Sequence, residues 1–138
     1  MKTVMCFGTF DILHLGHIHY LEQARKYGDR LVVVIARDKT KKKQKKKTIF
    51  NEQERRDLVE QLRVVDEAIL GYPDNHLKVI LEKRPEVICL GYDHPITEKD
   101  LKQKLQILGL STQVLRAKAL KPEKYKGGKV KKDLLGTI

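Results

Sequence analysis

Five short apolar runs punctuate the chain, and between them the hydrophobic residues spread out to every third or fourth position. TVMCF (3–7), RLVVVIA (30–36), VVDEAIL (64–70), EVICLG (86–91) and STQVLR (111–116) have the length and composition of strands. The second is an almost unbroken β-branched stretch, the pattern of a strand covered on both faces. Ile18, Leu21 and Ala24 recur at helical spacing from Leu15 to about Tyr27, where Gly28 closes the segment. Asn51 followed three residues later by Glu54 predicts a capping box, opening a helix with Leu58, Val59 and Leu62 on its apolar stripe. A short helix is predicted from about Asn75 to Lys83, ended by Arg84-Pro85, because the residue before a proline is pushed out of the helical region. Thr97 and Asp100 form a second capping box, with Leu105 and Leu108 leading to Gly109, and a last helix is predicted near Val130–Leu135.

Strands that alternate with helices in this way predict an α/β fold. With right-handed crossovers it is a Rossmann-like, doubly wound, five-stranded parallel sheet with helices on both faces. No internal repeat or linker interrupts residues 1–138, so a single domain is expected, with a basic loop over 37–48 and a basic C-terminal segment over 117–138. Ligands of such sheets sit beyond the carboxyl ends of the strands, near the switch in strand order. Four segments follow strands and gather on that edge: Gly8–His17, Arg37–Lys47, Gly91–His94 and the stretch after Arg116.

Charge narrows the ligand. The formal net charge is +11, yet residues 37–47 and 116–132 carry about +7 each, so the rest of the chain is mildly acidic. A uniformly basic surface would point to nonspecific nucleic-acid adhesion. Two focused segments point to a compact anion held between them, while most of their lysines are solvated. No apolar run approaches the roughly 20 residues that span a bilayer. There is no secretory leader pattern, and a cytoplasmic protein is expected. Cys6 and Cys89 stand alone inside apolar runs without CxxC spacing and read as buried small hydrophobes.

The chemistry concentrates in GTFDILHLGH, residues 8–17. Gly8 permits close backbone approach. Thr9 and Phe10 present amides where the first strand ends, and the helix that begins near Leu15 adds unpaired amides suited to phosphate. His14 and His17, three apart at the helix start, face the same side, and Gly16 between them lets a ligand come close. The pair is placed to donate hydrogen bonds to phosphoryl oxygens as charge develops. Asp11 reads as a structural acid that accepts nearby backbone hydrogens, and His19 and His76 as local hydrogen-bonding residues. A zinc site would need Cys or Glu ligands at familiar spacing, and none are near; no metal-ligating set is expected.

GTFDILHLGH resembles the signature of the HxGH nucleotidylyltransferase superfamily. ARDKTKKK, NEQERRDLVEQLRVVDEAILG and LGYDH extend the likeness to the archaeal FAD synthase branch and, less closely, to glycerol-3-phosphate cytidylyltransferase. The resemblance covers about residues 3–116. It implies transfer of a nucleoside monophosphate with release of pyrophosphate, ATP and FMN giving FAD, with Mg²⁺ on the triphosphate. The CTP-dependent reaction on glycerol 3-phosphate or a similar alcohol phosphate is the alternative, and homodimers are common among such enzymes. It implies that His14 and His17 are catalytic. Thr9 and Phe10 would hold the nucleotide phosphates through their backbone, with Gly16 close by, and Arg55 would lie near the phosphates. Gly91 and Asp93 would flank the nucleoside, with Asp93 near ribose or base and His94 beside it. Lys45, Lys46, Lys47 and Arg63 would serve the acceptor phosphate or the closing loop. Relatives open their last helix with a Ser/Thr-rich turn, whereas this chain reads YKGGKVKKDL, leaving Gly127, Gly128 and Lys129 in that place. A flavin also wants an aromatic slot, for which Tyr72, Tyr92 and Tyr125 are the candidates. A rival of another class, a non-catalytic nucleotide or RNA binder using the basic segments, leaves the paired histidines unexplained.

Overall fold

The computed structural model describes residues 1–120, and the predicted helix near 130–135, Tyr125, Gly127, Gly128 and Lys129 lie outside the described residues. All five strands form, and all neighbours pair in parallel: β1 (Thr3–Gly8), β2 (Arg30–Ile35), β3 (Glu67–Leu70), β4 (Val87–Leu90) and β5 (Gln113–Arg116). Their order across the sheet is β3-β2-β1-β4-β5, the doubly wound arrangement, with its switch between β1 and β4.

The two faces separate by strict alternation. Val4 and Cys6 of β1, Leu31, Val33 and Ile35 of β2, and Val87 and Cys89 of β4 form one core with Leu21 and Ala24 of α1 (Leu15–Arg25) and Val59 of α3 (Glu52–Glu60). Met5, Val32, Val34, Ile88 and Leu90 point the other way. They meet Val79 and Ile80 of α4 (His76–Lys83) and Leu101 and Leu105 of α5 (Glu98–Ile107). An unbroken β-branched run such as β2 is therefore buried on both sides, as its composition requires. The helices that link β1 to β3 cover one face and those that link β3 to β5 cover the other, as the right-handed crossover rule demands when the winding reverses.

Local signals set most boundaries. The Asn51 side chain accepts from the Glu54 amide at 2.9 Å and the Glu54 carboxylate accepts from the Asn51 amide at 3.2 Å. Each such cap contributes about 1 kcal/mol. Of the second predicted box only one half forms: Thr97 accepts from the Asp100 amide at 3.1 Å, without the reciprocal bond from Asp100. Helix α1 stops at Arg25, short of Tyr27, and Gly28 then passes so close to β1 that a Cβ there would lie 2.6 Å from the Lys2 carbonyl. The third strand begins only at Glu67, because Asp66 turns its carboxylate onto the Leu31 amide at 2.7 Å. The expectation of a plain basic loop over 37–48 is corrected. Asp38–Lys43 form a short helix, α2, with Asp38 in its first turn and lysines in its last, the charge order that suits a helix dipole.

Candidate active site

A cavity of about 1050 Å³ opens over the carboxyl ends of the strands, at the β1/β4 switch. His14 is the N-cap of α1, in extended backbone, and His17 stands three residues on. The two rings cap the turn reciprocally: His14 Nδ1 accepts from the Gly16 amide at 3.1 Å, and His17 Nδ1 accepts from the His14 amide at 3.3 Å. It is a capping box made of two imidazoles. The rings stack with centroids 3.9 Å apart and planes 21° from parallel, and both line the cavity. With Nδ1 engaged as an acceptor, each neutral ring carries its proton on Nε2. Burial pushes His17 down to about 3, with the neighbouring His14 adding to the shift, and burial lowers His14 as well. At neutral pH the site therefore holds two uncharged, stacked rings, each with its proton on Nε2.

The base under this pair is rigid. Phe10 adopts φ 53°, and its ring drops into the core, 5.2 Å from the His17 ring and stacked 6.5 Å from Tyr20. Only glycine fits at position 8, since a Cβ there would lie 2.5 Å from the Phe10 ring. The Tyr20 hydroxyl donates to the Cys89 carbonyl at 2.5 Å and accepts from the Phe7 amide at 3.3 Å, tying α1 to β1 and β4. Thr9 and Gly16 line the cavity with the histidines, and the Gly16 amide is already engaged by His14.

Arg55, expected beside the nucleotide phosphates, does not reach the cavity. Its side chain is fully buried. Nε donates to the Phe50 carbonyl at 3.1 Å, Nη1 to Thr9 at 2.9 Å and Ala36 at 2.8 Å, and Nη2 to Asp38 at 2.6 Å. It is a positioning residue that fastens the first loop, the end of β2 and the basic segment together. Asp11 is the structural acid expected, but its partners are distant in sequence: it accepts from the Ile49 and Phe50 amides at 2.7 and 2.9 Å. Arg37 and Glu52 pair at 3.0 Å, Asp38 and Glu52 cap each other's helix starts, and Lys43 pairs with Asp74. The basic segment is thus clasped at both ends. Of its lysines, Lys41, Lys46 and Lys47 line the cavity. Lys45, expected with them, does not line it and instead occupies the left-handed turn after α2, at φ 58°. Arg63, expected near the acceptor phosphate, is exposed just before β3, at the amino end of the sheet and opposite the cavity. Neither placement follows from charge alone: the lysine run carries no register, and the charge of Arg63 does not tell which end of the sheet it stands at.

Residues 5–132 match the cytidylyltransferase-like family model. The chain belongs to that family. It is 51% identical over 113 residues to the FAD synthase of Picrophilus torridus, covering 82% of this chain and 81% of the relative. Against the FAD synthase of Thermoplasma volcanium it is 42% identical over 138 residues, covering 100% and 97%. Among solved structures, the lipopolysaccharide core biosynthesis protein from Thermoplasma volcanium GSS1 superposes with a TM-score of 0.86 at 46% identity, over 87% of this chain and 98% of that one. Pantoate-beta-alanine ligase from Francisella tularensis shares the fold alone, with a TM-score of 0.61 at 17% identity over 84% and 58% of the two chains. The sequence-based likeness to HxGH nucleotidylyltransferases and to archaeal FAD synthases is met, as is the Rossmann-like fold.

Beside the HxGH pair, this cytidylyltransferase-like chain builds a second organised loop that its sequence did not disclose. Arg116, at the end of β5, donates to the carbonyls of Gly91 at 2.9 Å, His94 at 3.0 Å and Ile96 at 2.6 Å, and pairs with Glu98 at 2.6 Å. It shapes the 91–98 turn in which Gly91, Asp93 and His94 line the cavity. His94 Nδ1 accepts from the Ile96 amide at 3.4 Å, so it too offers Nε2–H. Burial, then the adjacent Arg116, lowers its pKa. The available signal was identity: Arg116 is an arginine at a strand end among lysines, and only a planar fork serves several carbonyls at once. Tyr72, Tyr92 and His76 also line the cavity, the last contrary to its reading as a purely local residue. His19 fits that reading, contacting Gln23 within its own helix at 3.1 Å. Among the described residues no group of three His, Cys, Asp or Glu is placed to hold a metal ion, and no helix is long and apolar enough to cross a membrane.

Proposed function

We propose that the protein is an FAD synthase: an oxygen of the FMN phosphate attacks the α-phosphorus of ATP, the bond from that phosphorus to the oxygen bridging to the β-phosphate breaks, and pyrophosphate leaves. The observation that carries the phosphoryl-transfer part is the stacked His14–His17 pair, with both Nδ1 atoms locked to main-chain amides. Two preoriented neutral donors suit a phosphorus whose equatorial oxygens carry the developing charge. The acceptor rests on the likeness to FAD synthases at 42–51% identity. No general base is required, because a phosphate oxygen is already nucleophilic.

The reactants are both anions. Two unit charges 4 Å apart repel by about 4 kcal/mol at an effective dielectric near 20. Lys41, Lys46 and Lys47 at the cavity offset part of that repulsion. Mg²⁺ offsets more. We assign it to the triphosphate, since this cation binds through substrate phosphates and retained waters and no carboxylate cage is built among the described residues.

Purified protein is offered ATP with FMN in one tube and CTP with glycerol 3-phosphate in another, each with Mg²⁺, and products are separated by chromatography. FAD in the first tube is expected. CDP-glycerol without FAD would overturn the acceptor and nucleotide assignment. His14→Ala and His17→Ala should each lower kcat by about 10²–10³ while nucleotide affinity changes little. Comparable turnover in both variants would overturn the role given to the pair.

A further inference from the structure

Lys118 stands just past the end of β5, beyond the last rung of the sheet: Ala117 still donates to the Leu90 carbonyl at 2.8 Å and is buried with the core. Main-chain groups that leave a ladder need new partners, and here one side chain from 95 positions away serves both. Gln23 Nε2 donates to the Lys118 carbonyl at 2.9 Å, and Gln23 Oε1 accepts from the Lys118 amide at 2.9 Å. Nε2 also meets His19 Nδ1 at 3.1 Å. The amide therefore has one orientation, because turned over it would set N–H against N–H and oxygen against oxygen. Gly16, His19 and Gln23 follow one another at three- and four-residue spacing and share a face of α1. Gly16 lines the cavity at the start of that face, and Ala117, Lys118, Ala119 and Leu120 line it too. The clasp thus pins to α1 a strip of main chain that borders the cavity.

We propose that Gln23 is a positioning residue for the nucleoside triphosphate: its amide fixes the root of the segment that leaves β5, and so fixes where the lysines of that segment meet the nucleotide phosphates. The inference rests on the reading of the cavity as a nucleotidyl-transfer site. Sheet order divides the basic charge. Arg37–Lys47 follow β2, on one side of the β1/β4 switch, and the chain after Arg116 follows β5, on the other. Two anionic reactants meet at the His14–His17 pair between them, and each needs cations on its own side. With Lys41, Lys46 and Lys47 on the β2 side given to the acceptor, the triphosphate takes the β5 side. There Lys118 lines the cavity, and Lys121, Lys124 and Lys126 follow in the chain. A freed root would spread the same lysines over a larger volume and lower their effective concentration at the phosphates. Gln23 itself does not line the cavity; it acts through the main chain of Lys118.

The test compares the full chain with two variants. Gln23→Met keeps length and bulk and removes both hydrogen bonds, and Gln23→Asn keeps the amide but is one methylene too short to reach. Hydrogen exchange at the Lys118 amide is measured without ligand. Kd for a non-hydrolysable ATP analogue follows, then KM and kcat with ATP and FMN, with thermal melts to confirm folding. Both variants should exchange roughly three- to tenfold faster at Lys118 and lose a similar factor in analogue Kd and in nucleotide KM. Their kcat and FMN KM should stay within about twofold of wild type. Unchanged protection at Lys118 in both variants would show that the clasp does not hold in solution and would overturn the proposal. So would lost protection with analogue affinity intact, or a fall in kcat at constant nucleotide affinity. Wild type that binds the analogue yet forms no FAD removes the acceptor reading alone, because exchange and analogue binding are read without turnover.

Discussion

Two arginines organise the two walls of the cavity, one fully buried and the other partly open to water. Arg55 is 0% exposed and binds three carbonyls and Asp38. Arg116 is 25% exposed and binds four carbonyls, those of Gly91, Tyr92, His94 and Ile96, together with Glu98. The chemistry is the same planar fork, but the consequences differ. A buried guanidinium holds distant segments in one relation, because it has no water to turn to if a partner is lost. A half-wet one shapes a single turn whose carbonyls keep that option. The wall beside the basic segment is therefore built as part of the core, and the wall formed by the 91–98 turn as a loop held at the surface.

The largest test breaks the buried hub. Arg55→Ala leaves the carbonyls of Thr9, Ala36 and Phe50 without this donor and opens the space of a fully buried side chain, so about 3–5 kcal/mol of folding stability should be lost, read as a drop in the urea midpoint. Arg55→Lys should recover only part, since an ammonium cannot span four acceptors. A loss under 1 kcal/mol for Arg55→Ala would end the contrast between the two walls.

A second test titrates the ground between them. His17 has its folded pKa depressed to about 3 by burial and by His14, whereas in the unfolded chain it protonates near its ordinary value. Its contribution is complete above about pH 6.5 and is lost as pH falls from there toward 3, because only the unfolded state takes up the proton. By pH 5 about 2 kcal/mol of unliganded stability should be gone, and His17→Gln should flatten that slope. Glu98 belongs to the other wall. Hydrogen bonding to Arg116 lowers its pKa, so that pairing persists until pH drops below the normal carboxylate range. Stability that stays level between pH 7 and 5 would refute the buried neutral imidazole.

Arg116→Ala comes next in size. It should leave most stability intact and raise the nucleotide KM about tenfold with a smaller change in kcat, as a loosened 91–98 turn costs binding energy near 1.4 kcal/mol. Equal damage to stability from Arg55→Ala and Arg116→Ala would show that exposure does not separate the walls.

The fold was legible because its signals are local and periodic. Alternation in β1, β2 and β4 assigns the core side chains of those strands to a face, and Asn51 and Thr97 mark helix starts through contacts within a few residues. The HxGH pair was legible for the same reason, since residues three apart at a helix start must share a side. What stayed hidden depends on contacts across the chain. Arg55 reaches Thr9 over 46 positions, and Arg116 reaches Gly91 over 25. Neither partner is marked by composition. Both arginines were read as charges, whereas their work is to donate hydrogen bonds to backbone carbonyls. The lysine run hid its register for another reason: identical neighbours offer no pattern, and α2 emerges only once Asp38 and Glu52 cap one another.

The smallest expected effects sharpen the same division by charge and distance. Arg63 is exposed at the amino end of the sheet, a full strand length from the cavity mouth. Arg63→Ala should leave kcat and both KM values unchanged within measurement, and salt should not alter that. Lys46 lines the cavity, and Lys46→Ala should raise the acceptor KM severalfold at low salt, with the difference from wild type shrinking as salt screens the lost charge. The two substitutions remove the same unit of charge, so a difference between them isolates position. A KM shift for Arg63→Ala as large as that for Lys46→Ala would mean that overall basicity, and not the clasped segment, draws the acceptor in.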